Sequence, residues 1–103
     1  MNMLNSLILE GVVSGEPHKV EASQVLNFTV SVERYYKNRA GEGVTETSQF
    51  KVVAFGSMSE LPLKDGMTVR IVGRLKQNTW TDNGVTHSEV QVIAEHIEMR
   101  AKK

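Results

Sequence analysis

The sequence predicts an all-β domain: a five-stranded Greek-key barrel with one short helical segment between the third and fourth strands. Three observations carry this. Five β-like stretches are separated by turn residues. Apolar and polar residues alternate with period two in the second and fourth stretches. The 103 residues hold one domain, able to bury roughly two-thirds of its unfolded surface without metals or disulfides.

The first strand is expected from about Leu4 to Val13, stopping at Gly15-Glu16-Pro17. Its apolar patch Leu7-Ile8-Leu9 has no basic residue before it and is interrupted by Glu10, so it fails as a signal peptide or membrane span. The second, from about Gln24 to Tyr36, sets Phe28, Val30 and Val32 against Asn27, Thr29, Ser31 and Glu33, so one face is wet. Residues Lys37 to Thr47, with Gly41-Glu42-Gly43, read as a long mobile hairpin loop.

Strand three is expected from about Ser48 to Phe55. Gly56 to Pro62 then holds one helical turn before proline discourages more, and Lys64-Asp65-Gly66 makes a turn. Strand four, Met67 to about Trp80, ends at Asp82-Asn83-Gly84, and strand five runs from about Val85 to Met99. Gly11 and Gly73 lie inside strands, where they mark the tight bends of a small barrel. An immunoglobulin-like sandwich would need about seven strands. The domain is therefore placed at residues 1–99, followed by the short basic tail 100–103.

The hydrophobic share of 40% and charged share of 23% are ordinary for a globular protein, and twelve basic residues balance twelve acidic ones. Net charge thus gives no support for nucleic-acid binding, and only its distribution is informative. With no cysteine the chain has neither disulfides nor a thiolate metal site, which fits a cytoplasmic location. His18, His87 and His96 are widely spaced and suggest no metal. No phosphate loop or nucleophile elbow is present, so neither cofactor nor catalysis is expected.

Strand four is the most informative segment. Alternation puts Val69, Ile71, Gly73 and Leu75 on one face and Arg70, Val72, Arg74, Lys76, Asn78 and Trp80 on the other. A solvent-facing indole beside cations suits single-stranded nucleic acid, since a base stacks on the ring while Arg and Lys neutralise phosphates. Trp80 equally fits a core ring under a solvated basic strand. In strand three, Lys51 and Phe55 share a face with Gln49 and Val53, while Phe50, Val52 and Ala54 look like core. Phe55 is a stacking ring or a core or interface residue. Arg34, Lys37 and Arg39 at the root of the loop are a basic segment able to wrap a strand, or simply a soluble hairpin. By parity Tyr36 falls with the apolar set, unless a bulge intervenes.

These residues resemble the bacterial single-stranded DNA-binding proteins from Leu4 to about Met99. The likeness rests on Leu7-Ile8-Leu9-Glu10-Gly11, Asn27-Phe28-Thr29-Val30, Phe50-Lys51-Val52-Val53-Ala54-Phe55-Gly56, and Val69-Arg70-Ile71-Val72-Gly73-Arg74-Leu75 leading to Trp80-Thr81-Asp82. The resemblance implies an OB-fold that binds single-stranded DNA without sequence preference in replication, recombination and repair. It also implies a homo-oligomer, usually a tetramer. It maps stacking aromatics onto Tyr36, Phe55 and Trp80, with Gln49 where the family often has Trp, and Tyr36 then requires one bulge in strand two. The ending Arg100-Ala101-Lys102-Lys103 departs from the family's acidic tip, and the length also resembles primosomal replication protein N, a dimeric barrel that acts through replication proteins. Two other functions are a protein-binding adaptor and, less well matched, an RNA-binding barrel of the cold-shock kind.

Overall fold

The computed structural model describes residues 1–100. Its strands are β1 (Leu7–Val20), β2 (Val25–Lys37), β3 (Gly43–Phe55), β4 (Thr68–Asp82) and β5 (Val85–Arg100). They close into a barrel in the order β1-β2-β3-β5-β4. All neighbours are antiparallel except β3 and β5, which pair in parallel only at Val52↔Val92 and Val53↔Ile93. Beyond that short seam, the β2–β3 and β4–β5 hairpins run on as two separate arms. Among the described residues no helix is long and apolar enough to cross a membrane. Of the expected tail, Ala101, Lys102 and Lys103 lie outside the described residues, and Arg100 ends β5.

Alternation sets the core. Phe28 and Val30 from β2, Val52 and Ala54 from β3, Val69 and Ile71 from β4, and Val92 and Ala94 from β5 meet Val13 inside the barrel. A 3-10 turn at Gly56–Glu60, where a short helical segment was expected, carries Met58 and leads to Leu61 and Leu63 against this core. Its buried Ser59 hydroxyl donates to the Gly56 carbonyl at 2.6 Å, so no polar group is stranded there.

Gly73 is where the backbones press together. Any Cβ on it would overlap the Ile93 carbonyl oxygen and stand 3.1 Å from that carbonyl's carbon. The cause lies across the ladder, where β5 carries an extra residue, Glu95, between the pairs Val72↔His96 and Gly73↔Ala94. The turn at Asn83-Gly84 has φ of 50° and 76°, the left-handed pair that a two-residue hairpin needs.

Three expectations are corrected. Gly15-Glu16-Pro17 does not stop the first strand but forms a bulge, three residues of β1 opposite one of β2. Pro17 has no N–H for the ladder, and the Gly15 N–H donates instead to Asp65 Oδ1 at 2.8 Å. The long mobile loop shrinks to residues 38–42. There the Asn38 side chain accepts from the Ala40 and Glu42 amides, both at 3.0 Å, while Thr45, Glu46 and Thr47 pair with β2. The third concerns strand two: its register with β3 runs unbroken from Val25 to Lys37, without the bulge that Tyr36 required.

Candidate nucleic-acid interface

In an antiparallel ladder, directly paired residues share a face. The outer face of the β2–β3 hairpin therefore carries Val25↔Phe55, Asn27↔Val53, Thr29↔Lys51 and Ser31↔Gln49. That of the β4–β5 hairpin carries Arg74↔Ile93, Lys76↔Gln91, Asn78↔Glu89 and Trp80↔His87. The seam pair Val53↔Ile93 joins the two, and both residues are buried outside the main core as the floor of this face. Lys51, Phe55, Arg74, Lys76 and Trp80, scattered over thirty residues of sequence, thus lie on one continuous surface.

Trp80 is outside the core and 44% exposed, with its ring stacked on His87 at 5.4 Å between centroids and 21° between planes. The core reading of Trp80 is excluded. His87 holds the indole from one side, and the exposed remainder offers a flat apolar platform. Phe55 is likewise 46% exposed rather than packed inside. Phe50, expected as core, does share the inner face with Val30, but it sits toward the open end of the barrel and is 39% exposed.

Arg34 and Tyr36 are not brought together with these residues. They pair with Glu46 and Val44 on the face that carries Phe28, Val30 and Val32, and the Arg34 guanidinium lies over the Tyr36 ring at 5.7 Å. Tyr35, the other tyrosine, falls on the Lys51 side, its ring resting on Gly43, where any Cβ would collide with it. Lys37 reaches that same side at the tip of the arm, and Arg39 sits in the turn beyond.

The cations of this face are of two kinds. Lys51 is paired with Glu89, and Arg74 lies 3.9 Å from Glu95. Lys76, Lys37 and Arg39 have no acidic partner among the described residues. Between β1, β2, β3 and β5 lies a groove of about 380 Å³, whose lining includes Ser14, Glu16, His18, Asn27, Thr29, Lys51, Glu89 and Gln91. No three His, Asp or Glu side chains among the described residues converge to hold a metal. The chemistry available is stacking, hydrogen bonding and phosphate neutralisation. His87 and Glu89 were missed by sequence reasoning. The two-residue turn could have found them, because it fixes the hairpin register and so places His87 opposite Trp80 and Glu89 opposite Asn78.

The model of the single-strand binding protein family matches residues 4–100. The single-stranded DNA-binding protein of Aquifex aeolicus is 34% identical over 103 residues, covering 94% of this chain and 70% of that protein. Single-stranded DNA-binding protein 1 of Chlorobaculum tepidum is 31% identical, covering 78% of this chain and 53% of its own length. Among solved structures, the Plasmodium falciparum SSB in complex with ssDNA superposes with a TM-score of 0.83 at 19% identity, over 98% of both chains. The small single-stranded DNA-binding protein from Streptomyces coelicolor gives 0.71 at 22% identity, over 97% of this chain and 96% of that one. At those identities the superpositions establish the fold.

Proposed function

Since this chain belongs to the single-strand binding protein family, we propose that it binds single-stranded DNA without sequence preference and without catalysis, in the service of replication, recombination and repair. The observation that carries this reading is the co-facial set of Trp80, Phe55, Lys51, Arg74 and Lys76. The two rings stack on bases, and the cations meet phosphates. Stacking tolerates any sequence because every base has a π-face. Lys37 and Arg39 extend the cationic path to the tip of the β2–β3 arm, and Arg34 and Tyr36 present a second, cation–π-coupled contact on its other side. The binding domain is residues 1–99.

The protein acts as a homo-oligomer, dimer or tetramer. Support comes from the inner faces of the arms, where apolar side chains leave the closed barrel without cover. Phe50 stands two residues before Val52, Val90 two before Val92 and Leu75 opposite Val92, so all three lie on the inner faces and all three are exposed. Such a patch is buried by a second copy. A cytoplasmic location follows from the proposed substrate.

Anisotropy of labelled oligo-dT tests the function. The expected result is saturable binding that weakens with salt and outcompetes a matched RNA and a duplex of the same length. Preferential binding of the RNA, or no binding to any of the three, would overturn it.

A further inference from the structure

The Lys51–Glu89 pair has an uncommon position. It is the one side-chain ion pair or hydrogen bond, among the described residues, that spans from the β2–β3 hairpin to the β4–β5 hairpin. It crosses the groove just where the two-residue β3–β5 seam ends. Glu89 is the sunken partner, its side chain 28% exposed, whereas the Lys51 side chain is 65% exposed and reachable from solvent. The ammonium stands on the same face as Phe55 and Trp80, but its charge is already paired.

We infer that Glu89 is an affinity-limiting residue of the interface: its carboxylate occupies the Lys51 ammonium that a DNA phosphate would otherwise take, so the strand must displace Glu89 to gain Lys51. This rests on the single-strand-binding reading above and adds a term to it. Displacement exchanges one charge-assisted contact for another, so Lys51 contributes less net affinity than an unpaired lysine. It also unties the two hairpins, letting the groove adjust to the strand it receives. The balanced net charge of the chain is, on this account, partly placed in the groove itself.

The test is a set of anisotropy titrations with oligo-dT over a range of salt, using E89Q, E16Q, K51Q and K51Q/E89Q beside the unmodified protein. Glu16 lines the same groove without holding a cation among the described residues, so E16Q controls for the general loss of one negative charge. Freeing Lys51 should tighten binding roughly two- to fivefold beyond E16Q, the scale of an exposed ion pair. The log–log salt slope of E89Q and of E16Q should stay with the unmodified protein, since the same phosphates are met in each complex, whereas K51Q, which loses one phosphate contact, should be shallower by about 0.7. In the K51Q background, adding E89Q should do no more than E16Q does. Equal effects of E89Q and E16Q on affinity, or a K51Q slope equal to that of the unmodified protein, would overturn the inference while leaving single-strand binding intact. Failure of the unmodified protein to bind oligo-dT would overturn both.

Discussion

Trp80→Ala separates binding from folding, because the ring stands on the open face and outside the barrel. A base stacked on an aromatic ring contributes about 1–3 kcal/mol. At about 1.4 kcal/mol per tenfold, losing it weakens oligo-dT binding roughly 5- to 150-fold. The stability cost is smaller. The ring's aromatic contact is the stack with His87, worth about 1 kcal/mol, and none of the barrel's core residues lies against it as a core partner. A loss of that size lowers the melting temperature by about 4–8 °C in a domain this small. Oligo-dT anisotropy on the folded variant, beside its thermal melt, reads the two quantities separately. An unchanged affinity together with a melting temperature lower by more than about 15 °C would refute the reasoning, since it would make Trp80 a structural ring.

Two further outcomes follow from the fold. Gly73→Ala pushes a methyl into the Ile93 carbonyl at the β5 bulge, where neither backbone can yield without breaking the ladder, so it should cost about 3 kcal/mol in urea unfolding. A loss under about 0.5 kcal/mol would show that the bulge tolerates a side chain. At alkaline pH the Lys19 ammonium matters: the hydrogen bond from it to Glu60, at 2.6 Å, raises its pKa above the ordinary 10.5. A raised pKa in the folded state means that the contribution is fully present below 10.5 and is lost as pH rises through the raised value. Glu60→Gln should therefore flatten the stability profile of the unmodified protein above pH 10.5, and parallel profiles would contradict that assignment.

Much of the barrel is legible from local pattern. Phe28-Thr29-Val30 and Val69-Arg70-Ile71 alternate because one face of each packs inside, and Asn83-Gly84 supplies the left-handed backbone of a tight hairpin. What escapes local pattern is set by distant partners. Gly15-Glu16-Pro17 carries every sign of a strand end, yet Asp65, fifty residues away, takes up the Gly15 amide and the strand goes on. Thr45 to Thr47 read as loop because they lie on an arm with no core beneath it, so nothing there selects apolar residues. The same arm explains Phe50, whose parity is that of a core residue but whose strand has outrun the barrel.

Within the interface, the shared face of Arg74, Lys76 and Trp80 follows from parity along one strand. Joining Lys51 and Phe55 to them depends on the β3–β5 pairing, which links residues forty apart in parallel and leaves no trace in either strand. The Lys51–Glu89 contact depends on it too. Tyr36 depends on register as well: with no bulge in β2, the unbroken β2–β3 pairing turns it to the side opposite Lys51.

The most direct test of the central claim uses Trp80 as its own reporter, since it is the only tryptophan in the chain. Intrinsic fluorescence should be quenched on titration with oligo-dT, saturate at the same stoichiometry as anisotropy, and recover when salt displaces the strand. Anisotropy showing tight binding while the indole emission stays unchanged would place the DNA elsewhere and contradict the account.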